Sequence, residues 1–281
     1  MAIFRDNSAT RGKILSQAIL EELFSLQGKT ALITGATGGI GEALAIGFAQ
    51  AGATVGVNGR LAEKVATTCQ RITNQGGNAV PLVADITTVA ACRQLVADTA
   101  TALGQLDILV NCAGMNRRKP ATEVTEEDWE TILDVNLRSA YFLSQAAHPI
   151  MARQRGGKII NIGSMTNTYA LDGGSVYGAT KAGLAQVTRT MALEWAPDNI
   201  QVNMIAPGFI WTPLTETGLF QNERRRRWLE ARTPLRRPGQ PRDLLGATLL
   251  LASAASDYMT GTTITVDGGF LIGGSWDKDA V

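Results

Sequence analysis

The chain has 281 residues, and its 26 lysines and arginines nearly balance its 25 aspartates and glutamates, which leaves a formal net charge of +1. This length fits one large α/β domain, and the neutral balance argues against a nucleic-acid partner or an acidic tail, so we expect small-molecule partners. The three cysteines, Cys69, Cys92 and Cys112, lack metal-ligand spacing, which predicts reduced thiols, no metal site and a cytoplasmic location.

The N-terminal segment reads as an extension ahead of the folded domain. Residues 1–27 contain no continuous apolar run of the kind a signal peptide needs, and no later stretch is long enough to span a membrane. We therefore expect an extension at 1–23 and one domain at 24–281, with the extension packed on its own or on a sister subunit; a membrane-surface helix is the alternative. Helical spacing of five apolar residues predicts a short amphipathic helix there: Ile14, Leu15, Ala18, Ile19 and Leu23.

Beyond the extension, short β-rich runs alternate with helical segments. This alternation predicts a doubly wound, Rossmann-type parallel sheet with helices on both faces. Near-continuous apolar runs such as Ile108-Leu109-Val110 are typical of strands buried on both faces. Ligands of such folds collect at the carboxyl ends of the strands. The predicted strands are Thr30–Thr34, Thr54–Asn58, Ala79–Ala84, Ile108–Asn111, Lys158–Ile162, Gln201–Ile205 and Thr263–Val266.

A glycine-rich segment directly follows the first predicted strand. Glycines in this position let the backbone turn sharply, approach a pyrophosphate closely and point helix N–H groups at it. The spacing is G-x-x-x-G-x-G, a weak signal alone in a chain with 30 glycines, but the strand before it and the helix after it strengthen the interpretation. The predicted dinucleotide contacts here are Gly35, Thr37, Gly39, Ile40 and Gly41.

The end of the second strand indicates which dinucleotide is bound. An acidic residue here would receive the adenosine ribose hydroxyls and repel a 2′-phosphate, but the chain has Asn58, and Arg60 offers a planar cation suited to phosphate oxygens. We therefore expect NADP in preference to NAD; the alternative is that Arg60 only opens the next helix in solvent. Asp85, after the third strand, is predicted to accept a hydrogen bond from adenine, or alternatively to cap the following helix.

Tyr177 and Lys181 are four residues apart in a segment of helical periodicity, so both side chains leave the same helical face. A phenol titrates near pH 10 in water, and lowering its pKa by about 3 units needs roughly 4 kcal/mol of differential stabilisation. A nearby ammonium favours the phenolate, so Lys181 is expected to lower the pKa of Tyr177. Ser164 follows a strand at the same sheet edge and could hold a carbonyl oxygen beside the tyrosine.

With Asn111-Cys112-Ala113-Gly114, Asn136 and Pro207-Gly208 added in order, the chain resembles the short-chain dehydrogenase/reductase family over about residues 24 to 270. The resemblance implies that Tyr177 is the general acid and base, that Lys181 lowers its pKa and binds the nicotinamide ribose, that Ser164 orients the carbonyl and that Asn136 supports a water in a proton relay. It also implies dimers or tetramers. Further cofactor contacts implied by it are Asn111, Ala113, Gly114, Tyr177, Lys181, Pro207, Gly208, Ile210 and Thr212. Cys112 departs from the family's N-N-A-G, and we expect activity to be retained.

Three consecutive cations, Arg117, Arg118 and Lys119, lie just past a strand end and predict an anionic substrate, because arginine can clamp a carboxylate with two hydrogen bonds. The segments at 116–118, 157–165 and 256–261 are most similar to gluconate 5-dehydrogenases and 2-dehydro-3-deoxygluconate 5-dehydrogenases within that family. On that resemblance Arg118 is the expected carboxylate contact. For Arg117 and Lys119 a solvated loop is the alternative.

Residues 211–228 are predicted to form a helical lid over the pocket, with Trp211 facing substrate and Thr212 touching the cofactor. Four arginines, Arg224–Arg227, point in every helical direction, so most are expected to be solvated or paired with acids, although a basic substrate funnel is possible. Met165, just beyond Ser164, is predicted as a pocket wall. Ser164 and Tyr177 complete the predicted substrate contacts.

Several alternatives stay open at this point. The leading hypothesis is an NADP-dependent oxidoreductase that acts on a secondary alcohol or ketone of a sugar acid, and the second is a 3-oxoacyl-thioester reductase whose basic residues meet an acidic carrier protein. A non-catalytic NADPH-binding module is the third. A serine hydrolase is disfavoured because His148, the single histidine, lies in an apolar helical stretch. The tail at 275–281 could cover a neighbouring subunit's pocket or be disordered.

Overall fold

A computed structural model of the chain describes residues 17–273. Seven parallel strands form one sheet in the order β3-β2-β1-β4-β5-β6-β7, which confirms the predicted fold class. All seven predicted strands are present, with bounds that differ by at most two residues. They are β1 (Thr30–Ile33), β2 (Thr54–Gly59), β3 (Asn78–Val83), β4 (Ile108–Asn111), β5 (Gly157–Ile162), β6 (Ile200–Pro207) and β7 (Thr263–Val266).

Helices cover both faces of the sheet, as the alternating sequence pattern predicts. Residues 17–24 of the N-terminal segment are helical. The α-helices that follow are α1 (Gly39–Gln50), α2 (Ala62–Thr73), α3 (Val89–Leu103), α4 (Glu126–Leu133), α5 (Ser139–Arg153), α6 (Ser175–Trp195), α7 (Pro213–Thr215), α8 (Glu223–Arg232) and α9 (Leu245–Ala252). Two π-helical segments occur at Asp134–Arg138 and Glu216–Phe220. Short 3₁₀ turns occupy Ala121–Glu123, Met165–Asn167, Ala196–Asp198, Pro241–Leu244, Ala254–Ser256 and Phe270–Ile272.

Most residues of the central strands are apolar because their side chains pack into one of two helix layers, whereas the edge strand β3 is mostly exposed or half-buried. Along β1, Ala31 and Ile33 join the core on one face, whereas Leu32 joins the core on the other. This alternation follows from the two-residue period of a strand. All eight residues of β6 are buried, which explains why it reads as an unbroken apolar run apart from Gln201 and Asn203.

The chain reverses direction across the sheet between β1 and β4. The connection from β1 runs outward to β2 and β3, and the chain then returns to place β4 on the other side of β1. The carboxyl ends of β1 and β4 are therefore splayed by helices that leave in opposite directions, which opens a crevice at this edge. The glycine segment and the Asn111-to-Gly114 segment both start here.

The domain core begins at Leu26, which is fully buried and donates its backbone N–H to the Ala51 carbonyl at 2.9 Å. Residues 17–24 are helical, and Ile19 and Leu20 are exposed by 50% and 59%. The helix prediction is therefore confirmed over this part, while Ile14, Leu15 and the tail at 275–281 lie outside the described residues. Between residues 17 and 273, no helix combines the length and apolar character needed to cross a membrane.

Candidate active site

The turn after β1 is closed so tightly that side chains would not fit at two of its glycines. Gly35 has φ +65°, and a Cβ there would lie 2.8 Å from the Cα of Ala113. A Cβ at Gly41 would lie 2.2 Å from the Gly35 carbonyl oxygen. Contacts this short are excluded, so packing requires glycine at both positions, and the positive φ is a second requirement for glycine at Gly35. The turn delivers the chain directly into α1, whose first N–H groups point into the crevice.

A cleft of about 380 Å³ lies over this turn at the carboxyl ends of β1 to β4. The combination of a helix N-terminus, a glycine cradle and an elongated crevice fits the pyrophosphate and adenosine half of a dinucleotide. The predicted cofactor contacts that line it are Gly35, Thr37, Gly39, Ile40, Gly41, Asn58, Arg60, Asp85, Ala113, Gly114 and Thr212. Six other predicted contacts lie outside this lining, so their contact with a cofactor stays a prediction: Asn111, Tyr177, Lys181, Pro207, Gly208 and Ile210.

The end of β2 carries Asn58 and Arg60 into the mouth of the cleft. Asn58 is 2% exposed, and its side-chain amide donates to the carbonyls of Leu82 at 3.0 Å and Ala84 at 3.4 Å. Asn58 therefore joins the ends of β2 and β3 instead of presenting a negative charge. Arg60 is exposed and forms no ion pair with any residue between 17 and 273, so its guanidinium is available at this end of the cleft.

Asp85 lies on the same rim, after β3. Its carboxylate accepts a hydrogen bond from the Thr87 backbone N–H at 3.0 Å, which shapes a local turn. The alternative that Asp85 caps the next helix is wrong, because Thr88 is the N-cap of α3 and accepts from the Ala91 N–H at 3.2 Å. Asp85 remains exposed in the cleft lining, where a carboxylate oxygen can accept from an exocyclic amine.

The segment after β4 is held against β1 by Thr34, a residue that the sequence analysis does not assign. The Thr34 hydroxyl accepts from the backbone N–H groups of Cys112 at 3.0 Å and Ala113 at 3.2 Å. Asn111 points into the protein interior, where its amide donates to Ser144 at 3.0 Å and Asn161 at 2.8 Å. Burial raises the pKa of Cys112 to about 12, so its thiol stays protonated in the cleft wall.

Tyr177 and Lys181 share one face near the start of α6, as their spacing predicts. The Lys181 ammonium is buried, lies 5.6 Å from the centre of the Tyr177 ring and donates to the Ile162 carbonyl at 2.9 Å. A Cβ on Gly114 would lie 3.8 Å from the Lys181 Nζ, so this pair adjoins the inner end of the cleft. Burial lowers the pKa of Lys181 to about 8.

Burial also raises the pKa of Tyr177, and the hydrogen bond with the Ser164 side chain and the positive charge of Arg118 oppose this rise. The structure does not show the expected lowering of the Tyr177 pKa by Lys181. The Lys181 ammonium faces the Ile162 carbonyl and the tyrosine ring, and burial of the phenolate has the largest effect on this pKa. Ser164 is 8% exposed and accepts from the Thr166 N–H at 3.1 Å. A phenol and a hydroxyl thus meet above a buried cation, which is a suitable place to exchange a proton with a bound carbonyl or alcohol.

Asn136 lies in the π-helical segment between α4 and α5, and such segments are frequent at functional sites. Its amide donates to the Met115 carbonyl at 2.8 Å and accepts from the Met115 N–H at 2.8 Å. It also donates to the Thr180 hydroxyl at 3.4 Å. Asn136 therefore holds the backbone beyond β4 against α6. Asn136 and Lys181 both adjoin Gly114. The water-supporting role stays a prediction.

The three cations beyond β4 have different surroundings. Arg117 forms ion pairs with Glu127 at 3.2 Å and Asp128 at 3.1 Å, and Lys119 also binds Asp128. Arg118 has no carboxylate partner among residues 17–273, and its guanidinium donates to the Asp172 carbonyl at 3.5 Å. Although part of the side chain is exposed, the guanidinium is sheltered enough that burial lowers the pKa of Arg118.

The predicted lid region is helical at Pro213–Thr215, Glu216–Phe220 and Glu223–Arg232. Trp211 stacks on Phe220 with ring centres 4.6 Å apart and planes 3° apart, so one face of its ring is already covered. Thr212 lines the cleft and would lie 3.3 Å from a Cβ on Gly39, and its contact with the cofactor stays a prediction.

Two further predictions concern this region. Arg226 pairs with Glu230 at 3.4 Å and Arg227 pairs with Glu223, which confirms the expectation of pairing with acids for these two arginines. Met165 is 2% exposed and packs with Phe209, Leu219 and Phe270 in a separate cluster under the lid. Met165 thus joins the end of β5 to the lid, and its direct contact with substrate stays a prediction.

His148 is far from Ser164. Its Nε2 lies 2.8 Å from an Asp198 carboxylate oxygen, and its ring lies 4.8 Å from that of Trp195 at the last residue of α6. Since a helix rises about 1.5 Å per residue, Trp195 is roughly 27 Å along α6 from Tyr177. A serine-hydrolase triad is therefore excluded by geometry. The part of the chain between residues 17 and 273 also contains no group of three or more His, Cys, Asp or Glu placed to hold a metal.

Sequence reasoning missed several residues that line the cleft. Ile86 and Thr87 follow Asp85 on the adenosine side, and the rule that ligands gather after strand ends could have found them. Met115 and Val135 could not be predicted from the sequence, because their position in the cleft depends on how the α4–α5 region folds back on β4. The complete set of unassigned lining residues is Gly38, Gly59, Ala84, Ile86, Thr87, Cys112, Met115, Val135 and Pro213.

Comparison with known proteins agrees with this geometry. Residues 35–271 match a family model described as "Enoyl-(Acyl carrier protein) reductase", one of the models of the short-chain dehydrogenases. The chain belongs to the short-chain dehydrogenase/reductase family, and it is an oxidoreductase of CH–OH groups that uses a nicotinamide cofactor. The non-catalytic alternative is therefore set aside.

The matches to individual relatives extend over almost the whole length of each relative. The 2-dehydro-3-deoxy-D-gluconate 5-dehydrogenase of Escherichia coli K12 is 43% identical over 250 residues, which are 88% of this chain and 97% of that protein. The 3-oxoacyl-(acyl-carrier-protein) reductase of Thermotoga maritima is 38% identical over 88% of this chain and 99% of its own. A gluconate 5-dehydrogenase from Burkholderia cenocepacia, solved with NADP and tartrate, superposes with a TM-score of 0.87 at 39% identity, over 90% of this chain and 99% of its own.

Proposed function

We propose that this enzyme interconverts a secondary alcohol and a ketone on a sugar acid, in the manner of a gluconate 5-dehydrogenase, with NADP as its preferred cofactor. One observation carries the substrate class: Arg118 is the cation beyond β4 that forms no ion pair with a carboxylate of residues 17–273, and its charge acts on Tyr177. A carboxylate on the substrate would supply the missing partner, because arginine binds carboxylates with two parallel hydrogen bonds.

The residues at the end of β2 support the preference for NADP over NAD. The exposed Arg60 guanidinium lines the cleft beside Asn58, a residue without charge, so a 2′-phosphate would meet a cation and no repelling carboxylate. The glycine cradle and the N-terminus of α1 would hold the pyrophosphate. When bound, the nicotinamide supplies or accepts the hydride.

The remaining chemistry belongs to side chains near the inner end of the cleft. Tyr177 would donate a proton to the carbonyl oxygen in reduction and remove it from the hydroxyl in oxidation. Ser164, which hydrogen bonds with Tyr177, would hold that same oxygen. Lys181 would contact the nicotinamide ribose and add positive charge below the phenol. Asn136 would keep the Met115 backbone in place and support the proton relay.

A second function, reduction of a 3-oxoacyl thioester, has the support of the Thermotoga relative at 38% identity. This reaction uses the same proton and hydride transfers, so the residues of the inner cleft do not discriminate between the two functions. The two functions differ in the charge close to the reacting carbon. A sugar acid brings its carboxylate within reach of Arg118, whereas a thioester has no charge there.

The experiment is a panel of initial rates with NADPH and NADH against 5-dehydrogluconate, a 2-dehydro-3-deoxygluconate-type acid, acetoacetyl thioester and uncharged ketones. We expect the keto acids with NADPH to give the highest kcat/KM. Arg118→Gln should raise the KM for the keto acids by about tenfold or more, since one charge-assisted contact is lost. Arg118→Lys, which keeps charge without the planar fork, should fall between. Activity confined to the thioester, unchanged in both variants, would favour the second function.

A further inference from the structure

Asp128 is a buried carboxylate that the proposed chemistry does not use. It is 2% exposed and lies at the third position of α4, where it accepts from the Thr125 backbone N–H at 3.2 Å and the Thr125 hydroxyl at 3.0 Å. It also binds two cations of the segment beyond β4, Arg117 at 3.1 Å and Lys119. These partners hold the pKa of Asp128 well below its usual range.

The two cations that Asp128 binds are the neighbours of Arg118 on either side. The side chains of residues 117 and 119 both contact Asp128 on α4, whereas the side chain of residue 118 contacts a different element. That element is the turn that leads into α6. The Arg118 guanidinium donates to the Asp172 carbonyl at 3.5 Å, and its Cβ would lie 3.7 Å from a Cβ on Gly173.

The backbone supports the same arrangement. The Lys119 N–H donates to the Gly173 carbonyl at 3.2 Å, which ties the segment to the turn that precedes α6. Tyr177 lies four residues further along the chain, and its phenol is within electrostatic reach of Arg118. Asp128 therefore fastens one side of the segment to α4, while the turn before α6 fastens the other.

We propose that Asp128 is a positioning residue that sets the substrate specificity of this enzyme: by holding Arg117 and Lys119 together, it keeps Arg118 directed at the carboxylate of the substrate. This inference rests on the proposed function in naming that carboxylate. It does not depend on that function for the placement of Arg118 itself. Arg117 and Lys119 are then not substrate contacts, although they belong to the same run of cations.

Asp128→Asn is the main test, because it keeps the shape of the side chain and removes its charge. The KM for 5-dehydrogluconate should rise by about tenfold, while the KM for NADPH and the kcat for an uncharged ketone stay within about twofold of the wild type. Asp128→Glu, which retains the charge, should recover part of the loss. Asp257→Asn is the matched control, since it also removes a carboxylate from a lysine partner, Lys158 at 2.7 Å, at the opposite edge of the sheet.

A double-mutant cycle separates positioning from a general structural effect. In the Arg118→Gln background, Asp128→Asn should add nothing further to the keto-acid KM, because its whole effect passes through Arg118. Additive effects would overturn the proposal. If Asp128→Asn does not fold, the Arg117→Gln/Lys119→Gln double variant replaces it, since both side chains are more than one third exposed. An unchanged keto-acid KM in that variant would overturn the proposal as well.

A readout without substrate keeps this inference distinct from the proposed function. The rate at which phenylglyoxal modifies Arg118, followed by peptide mass spectrometry, should rise several-fold in Asp128→Asn and stay unchanged in Asp257→Asn. If the wild-type enzyme shows no preference for keto acids but the labelling rate rises, the proposed function fails and the positioning role stands. An unchanged labelling rate of Arg118 in Asp128→Asn would contradict the positioning role, whatever the substrate is.

Discussion

The Lys181 ammonium donates a hydrogen bond to the Ile162 carbonyl at 2.9 Å, which ties α6 to the last residue of β5. Ser164 follows that strand by two residues, and Tyr177 lies one helical turn before Lys181. One buried bond therefore sets the distance between the serine and the tyrosine. It also explains why the cation is retained in a buried position, since the carbonyl oxygen replaces part of its lost hydration.

Tyr177→Phe should retain NADPH binding and lose turnover by about 10²- to 10⁴-fold, the usual range for removing a general acid. Kd from NADPH fluorescence and kcat with the best keto acid are the measurements. Tyr141→Phe, an exposed tyrosine on α5, is the control and should be silent. Near-normal turnover in the Tyr177 variant would remove the phenol from proton transfer.

Lys181 should make the stability of the enzyme depend on pH in an unusual direction. Burial lowers the pKa of Lys181 to about 8 in the folded protein, whereas an unfolded chain has a lysine pKa of about 10.4. Between these values the unfolded state binds more protons, so this residue's contribution to the unfolding free energy rises with pH. The stability difference between wild type and Lys181→Met, from urea unfolding, should therefore shift in favour of wild type from pH 8 to about pH 10.

Lys64→Met is the control for that series. Lys64 is an exposed residue of α2, and its variant should track the wild type at every pH. A difference for Lys181→Met that stays flat, or that falls with pH, would mean that the folded protein does not disfavour the ammonium.

Arg60→Ala should weaken NADPH binding by about tenfold or more, and NADH binding far less, because only NADPH has a 2′-phosphate for the guanidinium to meet. Binding constants for both cofactors measure this directly. Arg153→Ala removes an exposed arginine from the end of α5 and serves as the charge control. Equal losses for the two cofactors would contradict the assignment of Arg60 to the 2′-phosphate.

Gly35→Ala should destabilise the protein by about 2 to 5 kcal/mol, because it combines an unfavourable backbone dihedral with a backbone clash. The added Cβ would lie 2.8 Å from the Ala113 Cα at φ +65°. Gly28→Ala is a matched control, since Gly28 has φ +74° and open space around it, and should cost only about 1 to 2 kcal/mol. Similar losses in the two variants, by thermal or urea unfolding, would mean that the approach of Gly35 to Ala113 is unimportant.

Local sequence patterns were sufficient for the fold and for the identity of the central residues. The seven strands can be predicted from the sequence because apolar runs with a helix between them have few alternative packings. Tyr177 and Lys181 were readable because a four-residue spacing brings side chains together on any helix. The glycine segment was readable because its position after β1 excludes most other roles. Each of these inferences depends on residues that are close in the chain.

The tertiary structure decided which residues are free to act. Three adjacent cations look equivalent in sequence. Only the packing of α4 shows that Arg117 and Lys119 form ion pairs with Asp128, while Arg118 contacts the turn before α6. The π-helical turn at Asn136 and the bond from Lys181 to Ile162 were equally hidden. The physical reason is the same in each case: charge pairing and burial depend on which distant segments meet, whereas periodicity and backbone preference are properties of the local chain.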